Sequence, residues 1–139
     1  SGPPALKPGR DQCAECGMII NEDRCACGLL IDRDGIREHL VYDDLGCLFT
    51  ALSTKEDTKV LGKFVRDYDG SGWIEFERAT FLFADREKLP TPMGSGIVAY
   101  AKPEPANAKR AALGGEIYDA SGIRPAHTAW MESRFGKRR

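Results

Sequence analysis

The sulfur-bearing side chains near the amino terminus are the best candidates for chemistry in this sequence. Cys13, Cys16 and Met18 follow one another closely, and Gly17 allows a tight turn to present a thiolate and a thioether together. Thiolate and thioether sulfurs are soft ligands that favour Cu(I), whereas structural zinc sites use four thiolate or imidazole ligands. A methionine beside two cysteines therefore indicates Cu(I) as the bound metal, with zinc as the alternative.

Met93 lies in a second sharp loop, residues 91–96, whose proline and two glycines hold its side chain out from the backbone. This loop has the same place in the second half of the chain as the turn of Met18 has in the first. If the halves pack about a pseudo-twofold axis, Cys16, Met18 and Met93 can close one metal site. Cys13 is a further candidate ligand, although it could instead form a disulfide with Cys16 or take no part.

The same sulfur residues also have structural interpretations. A Cys-x-x-Cys pair is typical of zinc knuckles and redox pairs, and methionines often fill gaps in a core. Cys25 and Cys27 could join Cys13 and Cys16 in a four-thiolate zinc site, although zinc knuckles usually separate their ligands by two or more residues. In a strand, Cys25 and Cys27 would share a face with apolar neighbours, so burial beneath the first helix is the favoured role.

The composition excludes some classes of function. The chain has 139 residues with 20 basic and 21 acidic side chains, and this net charge of -1 argues against an electrostatic nucleic-acid partner. No apolar run approaches the roughly 20 residues that span a bilayer. Five cysteines cannot all pair within one chain, so at least one thiol remains for other chemistry.

The elements that must position these residues are indicated by turns and apolar periodicity. Asp34 and Gly35 predict a hairpin between two antiparallel strands, and Asp43 or Asp44 can cap the helix that follows. Cys47 lies off the apolar face of that helix, which leads to a third strand.

The second half of the sequence repeats this order of elements. Strands are predicted within 73–84, 96–101 and 116–120, with an alanine-rich helix at 105–113. The prediction is an α+β fold of duplicated ββαβ units, with small antiparallel sheets related by a pseudo-twofold axis. The predicted organisation is a disordered lead-in at 1–12, a first unit at 13–72, a second unit at 73–122 and a basic C-terminal tail at 123–139.

The tail contains one further candidate ligand pair. His127 and Met131 are four residues apart and would share a helix face with Phe135. They could serve as entry or handover ligands, but the favoured interpretation is a short helix that docks on the domain or on a partner.

The motifs together resemble the NosL family of copper chaperones, which serve nitrous oxide reductase. The resemblance covers about residues 13–118, in the order Cys-x-x-Cys-Gly-Met, Tyr-Asp-Asp-Leu-Gly-Cys, Val-Arg-Asp-Tyr, Trp-Ile and Thr-Pro-Met-Gly-Ser-Gly-Ile. It implies a Cu(I) site at Cys16, Met18 and Met93, and a duplicated ββαβ fold related to organomercurial lyase. It also implies a lipid-anchored protein on the periplasmic side of the inner membrane. The pair Cys25 and Cys27 is additional to the usual pattern of the family.

The resemblance implies a metallochaperone rather than an enzyme. Such a protein binds Cu(I) through few, labile ligands and passes it by ligand exchange to a copper enzyme or its membrane maturation complex. One alternative is a lyase-like enzyme with Asp43 or Asp44 as proton donor, although each is better explained as a helix cap. A structural zinc module for protein interaction is the other alternative.

Overall fold

The computed structural model describes residues 2–55, 57–70 and 72–136. Within these ranges the chain forms strands and helices in the order ββαββ, then ββαβα, with one short 3-10 turn at Phe76–Arg78 between the two groups. The elements are β1 (Cys27–Arg33), β2 (Ile36–Tyr42), α1 (Leu45–Thr54), β3 (Lys59–Arg66), β4 (Trp73–Glu75), β5 (Thr80–Phe83), β6 (Ile97–Tyr100), α2 (Pro103–Leu113), β7 (Glu116–Tyr118) and α3 (Ala120–Phe135).

The first unit is built on a four-stranded antiparallel sheet of order β2-β1-β3-β4. The hairpin between β1 and β2 turns at Asp34 and Gly35, which both have positive φ (54° and 86°). Two-residue turns that match the twist of the flanking strands require this backbone conformation. The helix α1 follows β2 directly, and β3 returns beside β1. The order β1-β2-α1-β3 is the predicted ββαβ unit.

The second unit has a three-stranded antiparallel sheet of order β6-β5-β7. Its order β5-β6-α2-β7 repeats the ββαβ pattern, and the prediction of an α+β fold with two small antiparallel sheets is confirmed. The two sheets meet at a parallel bridge between Asp67 and Ala99, where the Tyr68 N–H donates to the Ala99 carbonyl over 2.8 Å. The larger hydrophobic cluster draws side chains from both sheets, among them Leu29, Phe81 and Ile97.

The structure places β4 differently from the sequence analysis, which assigned residue 73 to the second unit. Residues 73–75 pair antiparallel with β3, with Ile74 opposite Val65, and so extend the first sheet. The reason is local, because the Asp67 N–H donates to the Gly72 carbonyl and reverses the chain directly after β3. The second sheet begins at β5.

The amino-terminal residues pack on the first sheet, although the sequence analysis expected 1–12 to be disordered. The Gly9 N–H donates to the Ile20 carbonyl over 2.7 Å, and the Ile20 N–H donates to the Asp11 carbonyl over 2.9 Å. Pro4 is buried over Gly28, where an added Cβ would lie 2.7 Å from the proline Cγ. Because Gly28 has no side chain, the amino-terminal segment can pack against β1 at this point.

The predicted basic tail is mainly the helix α3, which begins after Asp119 and continues to Phe135. The Asp119 carboxylate accepts the Gly122 N–H, and Ile123 is fully buried. Residues 137–139 of the tail lie outside the described residues. None of the helices in the described ranges has the length and apolar character needed to cross a bilayer.

Candidate metal centre

Three cysteine thiols converge between the amino-terminal turn and α1. The sulfurs of Cys13, Cys16 and Cys47 all lie within 4.8 Å of one another. Among residues 2–55, 57–70 and 72–136, no other group of three or more Cys, His, Asp or Glu side chains brings its ligand atoms so close. We call these three residues the cysteine cluster. Three thiols at this separation can bind a single thiophilic metal ion.

A tight turn holds the first two members of the cluster. The Cys13 N–H donates to the Met18 carbonyl over 2.8 Å, and the Gly17 N–H donates to the Cys13 carbonyl over 2.9 Å. Gly17 has φ of 80°, a conformation that a side chain would disfavour. The Ala14 N–H donates to the Val41 carbonyl of β2, so the turn is fixed beside the end of that strand.

Cys47 joins the cluster because α1 begins directly after the same strand. Asp44 caps the helix by accepting the Gly46 N–H over 2.9 Å, and Cys47 lies in the first turn with its N–H donated to the Asp44 carbonyl. Cys47, expected from the sequence to lie off the apolar helix face, is not among the predicted ligands. The available signal was its position one turn after the cap, close to where β2 ends.

Burial divides the cluster into an accessible thiol and two shielded thiols. Cys13 and Cys47 are buried, with exposed fractions of 3% and 6%, whereas Cys16 is half-buried. Solvent therefore reaches the cluster on the Cys16 side.

Hydrogen bonding within the cluster favours one thiolate. The Cys47 thiol donates to Cys13 and lowers the pKa of Cys13 from 9.0 to about 5, while the same bond raises the pKa of Cys47. Burial raises the pKa of Cys16. We therefore expect Cys13 to be the first thiol of the cluster to become a thiolate as the pH rises.

We expect ultraviolet absorbance to detect this thiolate in the reduced, metal-free protein. The signal should be present at neutral pH and disappear as the pH falls through about 5, the pKa of Cys13. Replacing Cys47 with Ala removes the thiol donor, so the titration should move to higher pH. Cys25→Ala is the matched control, because it removes a buried thiol outside the cluster and should leave the midpoint unchanged. An unchanged midpoint in Cys47→Ala would contradict the assignment.

The two methionines of the predicted site lie at the surface. The exposed fractions of Met18 and Met93 are 56% and 48%, which leaves both thioethers accessible to solvent. Met18 lies two residues after Cys16, and the backbone N–H of Met93 donates to the Asp44 side chain over 2.9 Å. The loop of Met93 therefore meets the amino-terminal end of α1, and the coordination of a metal by either methionine stays a prediction.

Cys25 and Cys27 are buried outside the cluster. Cys27 packs in the larger hydrophobic cluster with Leu29 and Ile31, whereas Cys25 lies just before β1 and packs in a second cluster with Leu82. Burial raises the pKa of Cys25 to about 12 and that of Cys27 well above its usual range. Within the described residues the structure groups neither thiol with Cys13 and Cys16, so the four-thiolate arrangement is not assembled.

The two candidate ligands in the tail, His127 and Met131, lie in different environments. His127 is buried against the rings of Phe49, Phe83 and Trp130, and burial lowers its pKa. Met131 is half-buried on the same helix. These contacts support the docking role of α3.

Comparisons with known proteins agree with this architecture. The crystal structure of the copper chaperone NosL from Shewanella denitrificans has a similar fold, with a TM-score of 0.73 and 21% sequence identity. The match covers 91% of this chain and 99% of that one. No curated protein sequence matches the chain. The NosL family model matches residues 5–128, so the chain belongs to the NosL family.

Proposed function

We propose that this protein is a Cu(I) metallochaperone that binds one copper ion at the cysteine cluster and delivers it by ligand exchange. The observation that carries the proposal is the convergence of three thiols within 4.8 Å, one of them reachable from solvent. Membership of the NosL family and the fold shared with a copper chaperone support the choice of metal.

Cys16 is the proposed anchor for the ion because it is the accessible thiol of the cluster. Cys13 is the proposed first thiolate of the cluster, because the neighbouring Cys47 thiol lowers its pKa. Met18 and Met93 are the proposed exchangeable ligands, since both are exposed and thioethers are weak, soft donors. This set extends the predicted site of Cys13, Cys16, Met18 and Met93 by one residue.

The donor chemistry favours Cu(I) over zinc. Cu(I) accepts two or three soft ligands, whereas structural zinc completes a tetrahedron with thiolate, imidazole or carboxylate. Within the described residues, no histidine or carboxylate joins the three thiols as a fourth ligand. The two thioethers nearby suit copper and add little for zinc.

The exposed position of Met18 and Met93 suggests how the copper ion would be transferred to an acceptor. A sulfur or imidazole of the acceptor would enter as Met18 or Met93 leaves, and the thiolates would then be exchanged in turn. Copper is cargo in this scheme and no bond of a substrate breaks, so the proposed role is not enzymatic.

Family membership supports a proposed site of action in the periplasm. The proposed acceptor is a copper enzyme such as nitrous oxide reductase or its membrane maturation complex. Family membership also supports the proposal that a lipid anchor holds the protein at the inner membrane.

The test is an anaerobic titration of the reduced protein with Cu(I) and separately with Zn(II). We expect one Cu(I) per chain, retained against the chelator bicinchoninate, and Zn(II) displaced by Cu(I). Elemental analysis of the purified protein gives the stoichiometry independently. Zinc that remains bound at one equivalent in the presence of Cu(I) would instead support the structural zinc module.

A further inference from the structure

Asp44 is a fully buried carboxylate whose two oxygens face different segments of the chain. Oδ1 accepts the Gly46 N–H of α1 over 2.9 Å. Oδ2 accepts the Met93 N–H over 2.9 Å and lies 3.5 Å from the Ser95 nitrogen. No lysine or arginine of the described ranges forms an ion pair with it, and backbone N–H groups satisfy its two oxygens.

We propose that Asp44 is a positioning residue for the metal site, which holds the Met93 loop against the helix turn that carries Cys47. Its carbonyl accepts the Cys47 N–H over 2.9 Å, while its side chain accepts the Met93 N–H. One residue therefore fixes the backbone of a thiol ligand from the first unit and of a thioether ligand from the second. This inference rests on the proposed function, because it assumes that Met93 contributes to copper binding.

The loop and the helix are in close contact at this point. A Cβ added at Gly46 would lie 3.3 Å from the Ser95 Cβ, closer than an ordinary van der Waals contact, so the loop and α1 pack tightly against each other here. The loop is also internally braced, since the Gly96 N–H donates to Thr91 Oγ1 and the Ile97 N–H donates to Ser95 Oγ. A braced loop moves as a unit, so the hydrogen bond at Met93 constrains the whole segment.

A helix cap alone does not require a carboxylate. Serine, asparagine and aspartate cap helices about equally well, and each does so with a single acceptor. Asp44→Asn keeps that acceptor but presents an N–H donor to the Met93 N–H, and Asp44→Ser keeps a cap without a second oxygen. Both variants should therefore retain α1 and lose the connection to Met93.

Asp119→Asn is the matched control. Asp119 caps α3 by accepting the Gly122 N–H over 2.9 Å, and it also accepts a hydrogen bond from the Ser121 hydroxyl in the same helix turn. This variant makes the same chemical change at a helix cap whose side-chain hydrogen bonds do not reach the Met93 loop.

The first measurement uses the metal-free protein. Backbone amide exchange followed by NMR should be faster at Met93 in Asp44→Asn and Asp44→Ser than in wild type, and unchanged in Asp119→Asn. Circular dichroism and thermal unfolding establish that each variant is folded. Met93 exchange that is unaltered in both folded Asp44 variants would overturn the inference.

The second measurement is a double-variant cycle on Cu(I) affinity, with bicinchoninate as competitor. Loss of a residue that orients a metal ligand typically weakens binding about 10- to 100-fold, and we expect a loss in this range for Asp44→Asn. If Asp44 acts by placing Met93, the combination with Met93→Leu should lose little more than the larger single loss. Fully additive losses, or an unchanged affinity in Met93→Leu, would overturn the inference.

The two measurements separate this inference from the proposed function. A wild-type chain that binds no Cu(I) would overturn the proposed function and the role of Asp44 in metal binding. Faster Met93 exchange in the metal-free Asp44 variants would still support the structural connection between the loop and α1.

Discussion

Serine in place of Cys16 is expected to abolish tight Cu(I) binding. The substitution exchanges a soft sulfur ligand for a hard, neutral hydroxyl of similar size, at the one cysteine of the cluster that is open to solvent. The loss should exceed the roughly 100-fold that removal of an outer-shell residue can cause, because a direct ligand is removed. Competition with bicinchoninate under anaerobic conditions measures the change in dissociation constant.

Cys25→Ala is the control for this substitution. It also removes a thiol from the chain, but that thiol is buried in the second hydrophobic cluster with Leu82 and Val98. Its Cu(I) affinity should equal that of wild type, and its elemental analysis should show the same copper content. Wild-type affinity in Cys16→Ser, or a large loss in Cys25→Ala, would contradict the assignment of the site.

Alanine at Gly96 is expected to cause a larger loss of stability than alanine at Gly94, the other glycine of the Met93 loop. Gly96 has φ of 74°, and an added Cβ would lie 2.3 Å from the Ala84 carbonyl oxygen. Backbone atoms cannot yield as a flexible side chain can. The left-handed conformation costs roughly 1–2 kcal/mol and the overpacking roughly 1–3 kcal/mol more, so the free energy of unfolding should fall by about 2–5 kcal/mol.

Gly94→Ala separates the two contributions. Gly94 has nearly the same backbone conformation, with φ of 77°, but its added Cβ would meet only the Arg86 side chain, at 3.5 Å. We expect it to lose roughly 1–2 kcal/mol, the conformational cost alone. Urea unfolding of both variants measures the difference. Equal losses would show that the contact with Ala84 adds nothing.

The fold was largely predictable because its signals are local. Asp34 and Gly35 specify the first hairpin, and Asp44 followed by an apolar helix pattern specifies the start of α1. The packing of residues 2–12 was not predictable, because it depends on the contact between Pro4 and Gly28, which are far apart in sequence. A proline-rich segment carries no periodic pattern that indicates such a contact.

The part of the site that was predictable also has a local sequence signal. Cys13 and Cys16 share one short motif, whereas Cys47 approaches them only because the turn is hydrogen bonded to Val41 at the end of β2. Period-two alternation placed Cys25 and Cys27 on one strand face, but β1 begins at Cys27. Cys25 therefore precedes the strand and packs in the other cluster.

The core shared between the two sheets makes the protein one cooperative unit. Leu29 and Val65 from the first sheet pack in the same cluster as Phe81 and Ile97 from the second, so neither ββαβ unit can unfold without exposing apolar surface of the other. Any ligand that binds only the native state stabilises the whole of such a unit, by an amount that grows with the logarithm of the free ligand concentration above the dissociation constant. An ion held at the cysteine cluster would therefore protect β6 and α3 from unfolding as well as the segments it touches.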